Sequence, residues 1–157
     1  MLKIEPAETG ESLNHIRDLF KEYAAALDFD LSFQDFEREF ENLPGEYAPP
    51  GGRLMLAIYD QQVAGCVALR KNTDDICEMK RLFVRPEFRG LGIGRALALV
   101  IIEEARSLGY AKMRLDTVPS MKEANALYKS LGFKDIKPYR YNPIEDATFM
   151  ELNLEFK

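Results

Sequence analysis

Apolar residues recur at helical spacing in the first part of the chain. A short strand is predicted at about Leu2 to Pro6, and a helix at about Glu11 to Leu27. The segment "DFDLSFQDFEREFENL" predicts a second helix with Ser32 as its N-cap, because serine commonly caps the first turn. The turn-rich "PGEYAPPGG" ends this helical region. The aromatic residues on one face of the second predicted helix are Phe33, Phe36 and Phe40.

From Arg53 onward, the pattern predicts an antiparallel meander followed by a parallel crossover. Three apolar runs, "RLMLAIYD", "QVAGCVALRK" and "ICEMKRLFV", are joined by the short polar connections "DQQ" and "NTDD", which suit hairpins. The segment "GRALALVIIEEARSLG" has helical spacing and ends at Gly109, and "AKMRLDTV" is the next predicted strand. A strand, a helix and a strand in series favour a right-handed connection between parallel strands.

The C-terminal part predicts one more helix and two strands. Ser120 and Glu123 have the spacing of a capping box, which would open the helix "SMKEANALYKSLG", and Gly132 would end it. Strands are predicted near Phe133 to Lys137 and Ala147 to Leu154. The fold class is therefore α/β with a mixed sheet, since the elements do not alternate regularly between strand and helix.

Composition narrows the choice of partners and compartment. The 157 residues, 46% of them hydrophobic, suffice for one domain, predicted to span 1–157. A net charge of -5 argues against nucleic acid or an anionic membrane as the main partner. Cys66 and Cys77 match no metal-ligand spacing, so we expect reduced core thiols and no metal. No signal-peptide core or membrane span is evident, and we therefore expect a cytoplasmic protein, either a monomer or a homodimer.

Three glycines mark the junction between a strand and a helix. Gly90, Gly92 and Gly94 alternate with other residues in "RPEFRGLGIGRAL", where the helical pattern begins. A glycine-rich loop at this place presents free N–H groups and the positive end of the helix to one spot, which suits a phosphate. Arg89 and Arg95 flank the loop and would add charged contacts.

Glycine-rich loops also occur in nucleotide-binding and dinucleotide-binding proteins. A nucleotide P-loop requires Lys and Ser or Thr after the last glycine, where this chain has Arg95 and Ala96. A dinucleotide-binding oxidoreductase would use G-x-G-x-x-G/A with a ribose-binding acid such as Asp116, but Arg95 stands where a small residue is needed. The preceding meander also opposes that fold. A third possibility is that the glycines only shape a turn.

The motifs resemble those of the GNAT superfamily of acyl-CoA-dependent N-acetyltransferases. "RGLGIGRAL" matches the R/Q-x-x-G-x-G/A signature at Arg89, Gly92 and Gly94, and "EMKRLFVRPEFRG" resembles the strand and loop before it. "EANALYKSLGF" resembles the family's downstream helix. This resemblance covers about Arg53 to Leu154 and implies a mostly antiparallel sheet of about six to seven strands with four helices. The positions that match the downstream helix are Asn125, Tyr128, Gly132 and Phe133.

The resemblance implies a binding mode for acetyl-CoA as co-substrate. The pyrophosphate would lie on the glycine loop, and the pantetheine arm would lie between two parallel strands that splay apart. A backbone N–H near Leu82 would polarise the thioester carbonyl. The residues assigned to the cofactor in this way are Leu82, Phe83, Val84, Arg89, Gly90, Leu91, Gly92, Ile93, Gly94, Arg95, Asn125 and Tyr128.

Two residues are candidates for proton transfer. Tyr128 matches the family's frequent general acid, and a phenol with a pKa of about 10 stays protonated at neutral pH. The alternative is that Tyr128 is a core residue on an apolar helix face. Glu78 matches a catalytic base of some relatives, with pairing to Arg or Lys, or a water-mediated base, as alternatives. Strand alternation would place four residues on the same face of the sheet, namely Glu78, Lys80, Leu82 and Val84.

The acceptor amine is less defined. A mixture of charges from several segments would suit a small amine that also carries a carboxylate. A peptide amine is the second possibility. The third is that these residues are scattered surface charges with no role in substrate binding. A non-catalytic acetyl-CoA sensor on the same fold is the rival to an enzyme. Cys77 is a poor nucleophile because Glu78 points to the opposite face. The candidate substrate residues are Arg53, Arg70, Arg81, Arg140, Asp28, Asp30 and Gln34.

Overall fold

Most strands and helices form where the apolar patterns predicted them. The computed structural model describes residues 1–27, 36–144 and 146–155. Ser32 and Phe33, predicted to open the second helix, lie outside the described residues. The helices are α1 (Gly10–Ala26), α2 (Phe36–Glu41), α3 (Ile93–Ser107) and α4 (Lys122–Ser130). The strands are β1 (Leu2–Pro6), β2 (Arg53–Tyr59), β3 (Gln62–Thr73), β4 (Ile76–Val84), β5 (Lys112–Thr117), β6 (Lys134–Ile136) and β7 (Thr148–Asn153).

One sheet joins the strands in the order β1-β2-β3-β4-β5-β7-β6. Strands β1 to β4 pair antiparallel, β4 and β5 pair parallel, and β7 pairs antiparallel with both β5 and β6. The predicted meander, crossover and mixed α/β sheet are therefore confirmed. This topology contradicts the dinucleotide-binding alternative, which requires a largely parallel sheet.

Two apolar clusters pack against the sheet. One holds the buried side chains of α3, such as Leu97 and Ile101, together with Met79 of β4 and Tyr128 of α4. The other holds residues of α1, such as Phe20, together with Phe83 of β4. We call the sheet faces under these clusters the α3 face and the α1 face. Among the described residues, none of the helices has the length and apolarity needed to cross a membrane.

A β-bulge in β4 reverses the alternation of its side chains. Cys66 pairs with Phe83 and Ala68 with Lys80, so two residues of β4 lie opposite one residue of β3. Arg81, within the bulge, has a φ of 59°, which is unusual for a bulky residue. The predicted alternation was wrong beyond this point, because Leu82 and Val84 pack on the α3 face, opposite to Glu78 and Lys80.

The predicted capping box at Ser120 and Glu123 was also wrong. The N–H of Met121 donates to the carbonyl of Val118, which closes a turn around Ser120 before α4 begins. Met121 is the N-cap, and no side chain caps this helix. The predicted glycine stops are confirmed in their backbone geometry, since Gly109 and Gly132 follow α3 and α4 with φ values of 88° and 101°.

Candidate active site

The parallel strands β4 and β5 separate after a short paired region. Their ladder consists of the pairs Ile76 with Lys112, Cys77 with Met113 and Glu78 with Arg114. Beyond Glu78, β4 continues to Val84 and β5 to Thr117 without pairing to each other. A gap between parallel strands leaves backbone groups and side chains of both strands accessible from the opening.

Two neighbouring cavities, which share lining residues, lie at this separation. The inner cavity, about 30 Å³, is lined by side chains of both strands, including Lys80, Leu82 and Asp116, and by Tyr128 of α4. The outer groove, about 550 Å³, extends between α1 and the start of α4 as far as Arg89. The residues that line both cavities are Tyr23, Leu82 and Met121.

The glycine loop lies at the start of α3. None of the backbone N–H groups of residues 90–95 donates a hydrogen bond within the described part of the chain. Gly90 and Gly92 have φ values of 84° and 79°, and a Cβ built on either would meet no atom within 4 Å. The loop is thus an open concave surface of free donors at a helix N-terminus, and these residues fit an anionic group such as a pyrophosphate.

The flanking arginines differ in their position relative to the groove. Arg89 donates from Nε to the carbonyl of Val84 at 3.0 Å and lines the outer groove. Arg95 lies on the exposed side of α3 and donates to the Ser130 hydroxyl at 3.2 Å. Either guanidinium keeps further donors for a phosphate, because the contacts just described use one N–H each.

Tyr128 lies at the inner end of the opening. Its side chain is 7% exposed, and its ring packs at 5.7 Å from that of Phe133. Its hydroxyl forms no hydrogen bond within the described residues. Burial, with smaller contributions from Tyr23 and Asp116, raises the pKa of Tyr128 above its usual value. The phenol therefore stays protonated at neutral pH and could donate a proton into the opening.

Glu78 already accepts several hydrogen bonds. It is 1% exposed. Arg70 donates from Nε to Oε1 at 2.9 Å, the Tyr139 hydroxyl donates to Oε2 at 2.7 Å, and Arg140 forms an ion pair with the same oxygen. To act as a base, Glu78 would have to release one of these partners, so the geometry is that of an anchor for two arginines.

The comparisons with known proteins identify the family of this chain. The Acetyltransferase (GNAT) family matches residues 13–133. An uncharacterized N-acetyltransferase of Schizosaccharomyces pombe is 39% identical over 98% of this chain and 95% of its own length. The chain belongs to the GNAT acetyltransferase family. It is an N-acetyltransferase by this membership.

Two further proteins are similar to this N-acetyltransferase, one in sequence and one in fold. The N-acetylaspartate synthetase of Xenopus tropicalis is 36% identical over 63% of this chain and 37% of its own length. The structure of an acetyltransferase from Salmonella typhimurium with its cofactor acetyl-CoA has a TM-score of 0.72 at 20% identity, covering 98% of this chain and 94% of that one. The second likeness shows that the fold is shared.

Asn125 of the N-acetyltransferase connects α4 to the end of β5. Its Oδ1 accepts a hydrogen bond from the Thr117 hydroxyl at 2.6 Å, and its Nδ2 donates to the Val118 carbonyl at 3.0 Å. The amide thus holds α4, and with it Tyr128, beside the opening. Contact between Asn125 and the cofactor stays a prediction.

The predicted substrate residues separate into three groups. Arg70 and Arg140 converge on Glu78 beside a shallow pocket of about 300 Å³. Arg81 instead forms a bidentate pair with Glu39 of α2. Arg53 pairs with Glu104 of α3 at 3.4 Å, away from Arg70 and Arg140. The residues Asp28, Asp30 and Gln34 lie outside the described part of the chain.

Sequence reasoning missed two residues of this site. Tyr139, in the connection between β6 and β7, has the guanidinium groups of Arg114 and Arg140 each 5.1 Å from its ring centre. Lys80 faces the inner cavity although it is only 5% exposed. The available signal for Lys80 was a lysine at an inward position of a central strand. Nothing in the sequence pattern singled out Tyr139.

Proposed function

We propose that the protein transfers an acetyl group from acetyl-CoA directly to a primary amine while both substrates are bound. The observation that carries this proposal is the opening between β4 and β5. Its outer groove reaches Arg89, which is next to the free N–H donors of the glycine loop, and its inner cavity is lined by Tyr128. A long, anionic thioester with its reactive group at one end matches that arrangement.

The chain's own groups would position acetyl-CoA, which supplies the activated acetyl group as a thioester. The N–H groups of residues 90–95 and the guanidinium groups of Arg89 and Arg95 would bind the pyrophosphate. Leu82, Phe83 and Val84 would hold the pantetheine arm along β4, and the Leu82 N–H would polarise the thioester carbonyl. Leu82 and Phe83 line the outer groove, which supports this placement.

Tyr128 would protonate the departing thiolate. Its phenol keeps its proton at neutral pH and lines the inner cavity together with Leu82. An acetylated cysteine is not needed. Burial raises the pKa of the Cys77 thiol to about 12, and Cys77 packs in the apolar cluster of the α3 face. Attack by the amine on the bound thioester is therefore the simpler route.

The acceptor would approach from the α1 face, where Glu78 holds Arg70 and Arg140. Burial and the neighbouring Arg70 lower the pKa of Arg140 to about 10, so a further anion beside these cations would be favourable. We propose an amine that also carries a carboxylate, with a peptide amine as the second candidate. The relative named N-acetylaspartate synthetase supports this choice, because aspartate is an amine with carboxylates.

Release of free thiol from acetyl-CoA in the presence of matched acceptors tests this function. The acceptor pairs would be β-alanine with β-alaninamide and L-glutamate with L-glutamine, together with a peptide that has a free N-terminus. We expect thiol release with formation of an acetylated product, faster for the acceptor with the additional carboxylate. Binding of acetyl-CoA without turnover of any amine would instead favour a sensor. Equal rates within each pair would remove the carboxylate from the proposal.

A further inference from the structure

Lys80 occupies an unusual position for a cation. It lies on β4 directly before the bulge and faces the inner cavity, which it shares with Leu82 and Tyr128. Lys80 and Tyr128 reach this cavity from opposite faces of the sheet, because the separation of β4 and β5 connects the two faces. Lys80 thus lies on the α1 face, the side from which the acceptor is proposed to come.

The groups around Lys80 decide its charge. Burial, followed by the like charge of Arg81, lowers the pKa of Lys80 to about 7, while Asp116 of β5 opposes the shift. Arg70 of β3 lowers the pKa further, and Glu39 of α2 raises it. The phenols of α1 and α4 that face the same cavity, Tyr23 and Tyr128, have raised pKa values and are neutral. Lys80 can therefore exchange a proton near neutral pH.

Glu78 and Asp116 are two further basic groups near the opening, and each accepts hydrogen bonds from side chains. Glu78 accepts hydrogen bonds from Arg70 and Tyr139 and pairs with Arg140. Asp116 accepts a hydrogen bond from Nδ2 of Asn142 at 3.2 Å. An inner cavity of about 30 Å³ has room for one small group or about one water beside Lys80. A proton could therefore pass to Lys80 directly or through a single water.

We propose that neutral Lys80 accepts the proton that the acceptor amine must lose before it attacks the thioester. This inference rests on the proposed function. The acceptor ammonium transfers one proton to Lys80, and the neutral amine forms the new C–N bond as the C–S bond breaks. Tyr128 gives its proton to the departing thiolate and regains one from the nitrogen of the new amide. Lys80 then releases its proton to solvent, so one proton is released for each acetyl group transferred.

The pH dependence of kcat/KM separates this role from a structural one. With L-glutamate and β-alanine as probes, wild-type kcat/KM should rise through about pH 7 and then stay level until the amine itself deprotonates near pH 10. Lys80→Met should lower the value at pH 7 on the order of 10²-fold, and its rate should keep rising towards the pKa of the amine. Lys80→Arg, whose guanidinium stays charged and cannot accept a proton, should lose activity as Lys80→Met does.

Two controls distinguish the possible failures. Hydroxylamine is largely neutral at pH 7, so its acetylation should be almost insensitive to Lys80→Met. Lys80→Cys treated with bromoethylamine gains a lysine-like but less basic amine, which should restore activity with the acidic limb moved to lower pH. If Lys80→Met keeps the wild-type pH profile, or if Lys80→Arg retains full activity, the inference is overturned. If no acceptor is acetylated by the wild type, the proposed function fails first, and this inference fails with it.

Discussion

A comparison of two glycine-to-alanine variants can separate the loss of a ligand contact from the cost of backbone strain. Gly92 is the N-cap of α3, with a φ of 79° and no atom within 4 Å of a Cβ built on it. Gly109, just past the other end of α3, has a φ of 88° and equally open space around its Cβ. Gly92→Ala and Gly109→Ala therefore share the same conformational cost, and Gly92→Ala alone puts a methyl group on the proposed phosphate surface.

The expected magnitudes follow from this geometry. Placing alanine in the left-handed region costs roughly 1–2 kcal/mol of folding stability, and both variants should lose about that much. A hydrogen bond from an N–H group to a charged phosphate contributes about 1.5–3 kcal/mol, and the added methyl group should displace at least one such contact. Gly92→Ala should therefore weaken acetyl-CoA binding by at least about tenfold, while Gly109→Ala should leave the affinity unchanged.

Calorimetric titration with acetyl-CoA, combined with urea unfolding of the same samples, provides the comparison. The unfolding data show whether the two variants are strained equally, so that any difference in affinity can be assigned to the loop. If folded Gly92→Ala binds acetyl-CoA as tightly as Gly109→Ala does, the glycine loop does not hold the pyrophosphate. The reasoning from free N–H donors would then be refuted.

Three further variants test separate parts of the structure. Tyr128→Phe should keep acetyl-CoA affinity and lower kcat by about 10²-fold, whereas full kcat with a lower melting temperature would make the tyrosine a core residue. Arg140→Gln should raise KM for L-glutamate more than KM for L-glutamine, and an equal change for both would argue against a carboxylate contact. Gly65→Ala places a Cβ 2.4 Å from the Phe83 carbonyl oxygen and should lower the free energy of unfolding by about 1–3 kcal/mol. Gly10→Ala, with no atom within 4 Å, is its control, and similar losses in urea unfolding of both variants would show that β3 and β4 can move apart.

The order of the elements could be predicted because the local patterns agree with the final packing. The apolar spacing of α3, its glycine stop at Gly109 and the short connections of the meander each point to the observed element. The glycine loop was also predictable, since free N–H groups at a helix start follow from local geometry. These features depend on residues close together in the chain.

The bulge and the ion pairs depend on contacts between distant residues, and the sequence pattern did not show them. The insertion at Arg81 is set by pairing with β3 and shifts Leu82 and Val84 to the other face of the sheet. The partners of Glu78 include Tyr139 and Arg140, about sixty residues along the chain. A strict alternation of faces cannot anticipate the bulge, because one extra residue inverts all positions after it. It also does not show which distant residues will pair with Glu78.

A crystal structure with a non-hydrolysable thioether analogue of acetyl-CoA tests the central claim most directly. The claim predicts pyrophosphate oxygens within hydrogen-bonding distance of N–H groups of residues 90–95. It also predicts the acyl carbonyl beside the Leu82 N–H and the sulfur within reach of the Tyr128 hydroxyl. An analogue bound outside the opening between β4 and β5, or with its sulfur remote from Tyr128, would contradict the claim.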